Sequence, residues 1–180
     1  MWAWIGLFFH ESFQLAHFSS EQSASLAALA TFAVIGMGAV GCALGGYMAD
    51  RIGRTTVTMG AMAISGTCAL IVGHLGESGL LILLIVSLIW GLTVVADSAQ
   101  FSASIAELSD PSLVGTMLTT QTCFGFLLTL LTIHLLPPIV AAFGWGLGFS
   151  FLAIGPFIGV FAMWRLRQHP DALKLAGGRR

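Results

Sequence analysis

One polar stripe in a long apolar segment contains the residues of this sequence best suited to chemistry. A carboxylate such as Asp97 in apolar surroundings can bind a cation, take up a proton or pair with an arginine. Polar residues recur around it every three or four positions, so one helix face carries them and is predicted to meet protein or water. Asp97 and Gln100 are therefore candidates for binding a substrate or a coupling ion. In a second interpretation, Asp97 is a structural carboxylate that accepts hydrogen bonds from neighbouring groups. The stripe consists of Thr93, Asp97, Gln100, Ser104 and Glu107.

A second group of polar residues lies near the start of the chain. His10, Gln14 and His17 share one helix face by their spacing, and Glu11 lies beside them. This density of polar groups is unusual in a membrane helix, and it fits either a proton relay through His10 or Glu11 or an approach to the outer surface. Gln121, in a later apolar segment, is a further candidate cavity residue.

A short segment with the pattern GxxxDRxGR, which ends at Arg54, separates two apolar stretches. Gly46 allows a close helix approach, and Gly53 permits a tight reversal of the chain. Asp50 can face the positive N-terminal end of a neighbouring helix. Arg51 and Arg54 can pair with carboxylates or with the C-terminal ends of helices. Alternatively, the two arginines only fix the orientation of the chain in a membrane.

The composition places the chain in a lipid bilayer, because 57% of its residues are hydrophobic and only 8% are charged. A net charge of −1 provides no concentrated basic face, so nucleic acid is not an expected partner. The histidines are scattered and the cysteines show no paired spacing, which predicts no metal centre, no disulfide and no cofactor. No nucleophile lies beside a base, so we do not expect an enzyme. The cysteines are Cys42, Cys68 and Cys123.

Six apolar segments are predicted to cross the bilayer as helices, since each approaches the roughly 20 residues that a span requires. Residues 1–18 are the weakest case, because their length only just crosses the hydrocarbon core and their abrupt start fits a truncated first helix. Gly76, Glu77, Ser78 and Gly79 supply one of the breaks between segments. The other segments are 26–48, 57–72, 80–104, 118–137 and 143–164.

The basic residues predict the orientation of these helices. All of them lie between the second and third segments or after the sixth, which are on the same side, and the loops 19–23, 76–79 and 137–142 contain none. By the positive-inside rule, both termini are predicted to lie in the cytoplasm, with the chain in the plasma (inner) membrane. Residues 168–180 are predicted to form a cytoplasmic tail that is disordered from 177 onward. The five basic residues that follow the sixth segment either attract anionic lipid or serve only as the orientation signal.

Further details predict how the helices pack. Residues 57–72 and 143–164 contain no Asp, Glu, His, Lys or Arg and are expected to face lipid. Two pairs of glycines four residues apart can bring helices close together, and a proline between the second pair is expected to kink its helix. These residues are Gly41 and Gly45, then Gly155 and Gly159 around Pro156.

The segment from Gly46 to Arg54 resembles the cytoplasmic loop signature of the major facilitator superfamily. Members of that family often carry Arg or Lys where this chain has Thr55. This difference suggests that the segment resembles the weaker copy of the signature, which lies in the second half of such transporters. Residues 94–102, 107–111 and 115–119 resemble the tenth and eleventh helices of such carriers. The resemblance implies an all-α integral membrane protein with about six transmembrane helices. Residues 1–167 would then form the C-terminal half-domain, helices seven to twelve of a twelve-helix carrier.

The same resemblance implies secondary active transport of a small solute by alternating access. Carriers of this family bind their substrate between two six-helix halves, so this chain would supply one wall of the cavity. Its expected partners are an N-terminal six-helix half or a second copy, together with the lipid bilayer. The loop contacts would hold the cytoplasmic face shut and break when it opens. Alternatives are a truncated fragment without transport activity, a membrane scaffold or interaction protein, and a homodimeric half-transporter.

Overall fold

The described residues, in a computed structural model, form a bundle of six α-helices followed by a 3-10 helix. The structure describes residues 1–76 and 79–179, and this part of the chain contains no β-strand. Glu77 and Ser78 of the predicted break, and Arg180 of the tail, lie outside the described residues. The helices are α1 (Trp2–Leu15), α2 (Ser20–Ile52), α3 (Arg54–Val72), α4 (Leu80–Leu108), α5 (Val114–Leu152) and α6 (Ile154–Gln168), and the 3-10 helix, here called the tail helix, is Pro170–Gly178.

The prediction of an all-helical protein is confirmed for residues 1–76 and 79–179. Four helical segments among the described residues are long and apolar enough to cross a membrane. α1 is shorter, with 14 residues, and extends only about 21 Å at 1.5 Å per residue. The four segments are Ser20–Ile52, Arg54–Val72, Leu80–Leu108 and Val114–Gln168, the last of which joins α5 and α6.

The first predicted loop, residues 19–23, is wrong in extent because α2 begins inside it. Ser19 is the N-cap of α2: its hydroxyl accepts a hydrogen bond from the Gln22 N–H, and the Gln22 side chain accepts one from the Ser19 N–H. This capping box satisfies two N–H groups that the start of a helix leaves without partners. Residues 20–23 are therefore the first turn of α2.

The predicted loop at residues 137–142 is also wrong, because α5 continues through Pro137 and Pro138. A proline inside a helix removes one N–H donor and bends the helix without always ending it. The chain reverses at Gly144 instead, where φ is +80°. A Cβ on Gly148 would lie 2.5 Å from Val140 Cγ2, although these residues would be about 12 Å apart along one straight helix. The predicted sixth span therefore corresponds to residues 145–168, with an interruption at Ala153, three residues before Pro156.

Close contact at glycines joins α2 to α4. A Cβ on Gly41 would lie 1.8 Å from the carbonyl oxygen of Leu92, and one on Gly45 would lie 3.2 Å from Ala96 Cβ. The first predicted glycine pair is thus confirmed as a helix contact. Of the second pair, Gly159 packs against Met62 of α3, whereas Gly155 has nothing within 4 Å.

The expectation that residues 57–72 face lipid is wrong for this structure. α3 lies against both α4 and α6 and is buried along much of its length, including Thr58, Ala61 and Ser65. Residues 57–72 carry no charged side chain, so they need apolar surroundings. The neighbouring helices supply such surroundings as well as lipid would. α5 is the exposed helix, since only Leu136, Gly148 and Phe149 of its residues are buried.

Contacts between helices bring the described arginines to one end of the bundle. Arg54 at the start of α3 pairs with Glu107 at the end of α4, and Arg167 at the end of α6 donates to Thr56. Arg179 follows the tail helix at the same end. This end is called the basic end. The grouping agrees with the prediction that the basic segments share one side.

The opposite end is closed by aromatic rings, and it is called the aromatic end. Phe8 of α1 packs edge-to-face on Phe149 of α5, with ring centroids 5.2 Å apart, and Trp145 stacks on Phe149 at 5.3 Å. Trp90 of α4 makes an edge contact with Phe149 at 5.5 Å. These rings bury a large apolar area between three helices.

Candidate functional site

The centre of the candidate site is the guanidinium group of Arg54. Its Nε donates to both carboxylate oxygens of Glu107 at 2.9 Å, and its Nη2 donates to Oε1 at 2.6 Å. Its Nη1 donates to Oε1 of Gln100 at 3.1 Å. The Arg54 side chain is 14% exposed and that of Glu107 is 28% exposed. Such a forked, partly buried pair is stronger and more specific than a surface ion pair.

Local sequence places these three groups together. Gly53 ends α2 and begins α3 with φ at +98°, a value that favours glycine, and Arg54 becomes the first residue of α3. Gln100 and Glu107 are seven residues apart on α4, so they lie on one helix face. The end of the predicted polar stripe therefore meets the start of α3.

The other residues of the loop pattern lie differently from their expected roles. Gly46 has nothing within 4 Å of an added Cβ, so it makes no close helix approach here. The Asp50 side chain is 71% exposed, with Arg54 Nη2 at 3.6 Å from its Oδ1. Arg51 lies over the Tyr47 ring, 4.2 Å from its centroid, and forms a cation–π contact.

The tail was expected to be disordered from residue 177, and the structure shows it docked at this site as far as residue 179. The Ala176 N–H donates to Oε2 of Glu107 at 2.9 Å, and the Arg179 guanidinium donates to the Asp50 carbonyl oxygen. Ala172, a residue of the tail helix, is fully buried. Sequence reasoning missed this docking because a short polar segment rich in glycine carries no periodic signal.

The polar stripe faces protein along most of its length. Thr93, Gln100 and Ser104 are buried, and Asp97 is 9% exposed. The Ser98 hydroxyl donates to Asp97 Oδ1 at 3.1 Å. No basic side chain within residues 1–76 and 79–179 forms an ion pair with Asp97. A buried carboxylate with this surrounding is able to bind a proton or a small cation, and it also fits the structural interpretation.

A cavity of about 410 Å³ lies between α1, α4 and α5. Ser98, the hydrogen-bond donor to Asp97, lines it. Apolar and hydroxyl side chains form most of the remaining wall, including Trp2, Phe126 and Thr129. Such a mixture suits one wall of a binding site for a small molecule. The sequence did not single out Ser98, although its position next to Asp97 was a usable signal.

The other candidate residues are not brought to this cavity. His10 lines a groove between α1 and α2, whereas Glu11 lines a pocket at the aromatic end and accepts a hydrogen bond from Trp145 Nε1 at 2.6 Å. The two neighbours therefore lie in separate pockets. On α5, the Gln121 Oε1 atom is buried and accepts no hydrogen bond from the described residues.

Comparisons with protein-family models, with curated proteins and with solved structures find no match for this chain. The similarity to the major facilitator superfamily therefore remains a prediction that depends on the residues of the sequence alone.

Proposed function

We propose that this chain is the C-terminal six-helix half of a secondary carrier of the major facilitator type, which moves a small solute by alternating access. The contact of Arg54 with Glu107 and Gln100 carries this proposal. Two features that the sequence presented separately, the loop pattern and the polar stripe, meet in one cluster. A purely orienting arginine would not require a forked carboxylate partner on another helix.

The cluster assigns different tasks to the residues of the loop pattern. Arg54 binds partners inside the chain, so it holds α3 and α4 together as a rigid unit. The carboxylate of Asp50 lies 3.6 Å from Arg54 Nη2 but is 71% exposed, so it is accessible to the positive N-terminal end of a helix in the other half. In this proposal Asp50 forms the contact that breaks when the cytoplasmic face opens, and Arg54 supports it.

In this proposal the cavity lined by Ser98 supplies one wall of the transport pathway. Ser98 donates a hydrogen bond to Asp97, so this hydroxyl connects the cavity to the buried stripe. No ATP-binding pattern is present in the sequence, so an ion gradient would supply the energy for uphill transport. Asp97 is the leading candidate for binding the coupling ion, because an uncompensated carboxylate in a helix of this kind is costly and usually functional.

The proposal places the basic end in the cytoplasm and the chain in the plasma (inner) membrane. The wide apolar surface of α5, with Phe124, Leu128 and Leu131 exposed, would be covered by lipid or by the partner half. The partner is an N-terminal six-helix half. A second copy of this chain is the competing arrangement, and the following test separates the two.

The first test measures pairing. A tagged form of this chain is co-expressed with a six-helix segment encoded beside it, and the two are purified together in mild detergent. Stable one-to-one recovery that Asp50→Asn weakens and Glu21→Gln does not would support the proposal. Glu21 is an exposed carboxylate in the first turn of α2, far from the loop pattern. Recovery of this chain only as a monomer or as a homodimer would count against an N-terminal partner.

The second test addresses coupling. The purified pair is placed in liposomes loaded with the pH-sensitive dye pyranine, and a panel of small organic acids, sugars and amines is added outside. A solute that changes the internal pH identifies proton-coupled transport. Asp97→Asn is expected to abolish that change while counterflow of the same solute continues. Unchanged proton movement in Asp97→Asn would remove Asp97 from the mechanism without removing the proposal of transport.

A further inference from the structure

The tail helix is anchored to the basic end by buried apolar contacts. Ala172 and Leu175 are both fully buried, although they belong to a segment of only nine residues. The segment packs against α4 and α6. A short 3-10 helix has poor hydrogen-bond geometry and is not stable alone, so its conformation depends on this docking.

Two polar contacts connect the same segment to the candidate site. The Ala176 N–H binds Oε2 of Glu107 at 2.9 Å, and Arg179 binds the backbone carbonyl of Asp50. Glu107 is also the partner of Arg54, so one carboxylate holds both the start of α3 and the tail helix. The tail helix thereby bridges the ends of α2, α4 and α6.

Basic side chains around the tail helix are engaged within the protein. Arg167 donates to Thr56, and Lys174 pairs with Asp171 at 2.7 Å. Arg179 is bound to the end of α2. An attraction of these charges to anionic lipid, one of the two interpretations of the sequence, would have to break the contacts that the structure shows. Docking on protein is therefore the favoured state of this segment.

The backbone at the end of the tail helix has an unfavourable conformation, which weakens the docking of this segment. Ala176, Gly177 and Gly178 have φ values of +48°, +65° and +96°. This left-handed conformation is unfavourable for a residue with a side chain such as Ala176, and it persists only where surrounding contacts enforce it. Once its contacts with Glu107 and α2 are lost, the segment gains both freedom and relief from this strain.

We propose that the tail helix is a detachable strap over the basic end, and that its docking and the Arg54–Glu107 pair stabilise each other. Removal of either then weakens the other, because coupling between two equilibria is reciprocal. The docked strap keeps the ends of α2, α4 and α6 together, and its release loosens them. This inference concerns the chain itself and holds whether or not the chain transports a solute.

Hydrogen–deuterium exchange of the purified chain in phosphatidylcholine nanodiscs tests the strap, with the peptide 169–179 as readout. Arg54 and the tail helix share the carboxylate of Glu107, so Arg54→Gln is expected to speed exchange in this peptide by about fivefold or more. Arg51→Gln is the matched control, since it removes the same charge from an arginine that lies on Tyr47. Equal exchange in the two variants would overturn the coupling.

The effect of the tail helix on the Arg54–Glu107 pair is tested with Gly177→Val. The readout is hydrogen–deuterium exchange at residues 104–109, the end of α4. Gly177 has a φ of +65° and open space around it, so valine strains only the backbone of the strap. Gly155→Val, at an equally open position inside α6, is the control. Faster exchange at α4 in Gly177→Val alone would support the strap, and unchanged exchange would contradict it. Protection of 169–179 that appears only with added phosphatidylglycerol would also contradict it, because lipid would then be the docking surface.

Discussion

The two ends of the helical bundle are closed by different kinds of contact. At the basic end, Arg54 and Glu107 form a forked ion pair, and the tail helix adds a hydrogen bond to the same carboxylate. At the aromatic end, the rings of Phe8 and Phe149 pack together, and Trp145 donates a hydrogen bond to Glu11. One end is held by directional polar contacts and the other mainly by apolar area.

This difference indicates which end can switch. Removal of one charge breaks a directional ion pair, whereas ring packing depends on the shape and volume of the side chains that meet. Water that enters the basic end can form hydrogen bonds with Arg54 in place of its protein partners. Water that enters the aromatic end does not replace the apolar contacts that the rings lose. We therefore expect the basic end to respond to charge changes and the aromatic end to respond to changes in side-chain volume.

The crossing of α2 and α4 supports both ends, and its disruption has the largest expected effect. Gly41→Val places a side chain where the carbonyl oxygen of Leu92 already lies, with 1.8 Å to an added Cβ. We expect a loss of about 3 kcal/mol in the free energy of unfolding, with exchange rising at both ends. Thermal unfolding in detergent, followed by tryptophan fluorescence, measures it. Gly46→Val, at an open position of the same helix, is the control, and equal losses in the two variants would show that the crossing is not a shared support.

The second effect is confined to the basic end. Arg54→Gln leaves Glu107 partly buried without its cation, and we expect a loss of about 2 kcal/mol. Hydrogen exchange should rise at the ends of α3 and α4 and remain unchanged around Trp145. The exchanged pair Arg54→Glu with Glu107→Arg is expected to recover about half of the loss. Failure to recover any of it would show that position, and not charge pairing, determines the contact.

Sequence reasoning predicted more of the basic end than of the aromatic end. The loop pattern and the three-to-four spacing of polar residues are local signals. They allowed Arg54 a carboxylate or a helix C-terminus as its partner and Gln100 a protein or water environment, and in the structure Arg54 pairs with Glu107 and Gln100 is buried. At the aromatic end, Glu11 and Trp145 are partners although 134 residues separate them. No spacing rule connects such positions.

The remaining errors have physical causes as well. Pro137 and Pro138 indicated a break, but the chain can continue through prolines and reverse at Gly144, whose positive φ is not visible in sequence. The lack of charge in α3 indicated lipid, although small residues such as Ala61 and Gly66 also suit a helix packed between two others. Apolar composition specifies an apolar environment and does not say which one.

A smaller effect is expected at the aromatic end. Trp145→Phe keeps a ring against Phe149 and removes the N–H that Glu11 accepts. We expect a loss of about 1 kcal/mol, since one hydrogen bond to a partly solvated carboxylate disappears. Trp145→Ala should cost more, because apolar area is lost as well. If Trp145→Phe proved as damaging as Trp145→Ala, the hydrogen bond and not the packing would close this end.

The smallest effect is expected from a polar contact at the surface of the basic end. The Ser112 hydroxyl and N–H both donate to Asp110, at 2.5 and 2.8 Å, and these hydrogen bonds hold the pKa of Asp110 below its usual range. Because the pKa of Asp110 is lowered in the folded state, the ionised carboxylate contributes to the stability of the fold. This contribution is complete above about pH 4 and is lost as the pH falls through the lowered pKa. Asp110→Ala should therefore shift Tm by about 1 °C or less at pH 7. A larger shift, or one that persists below pH 3, would show that the surface of the basic end is held by more than the partly buried pair beneath it.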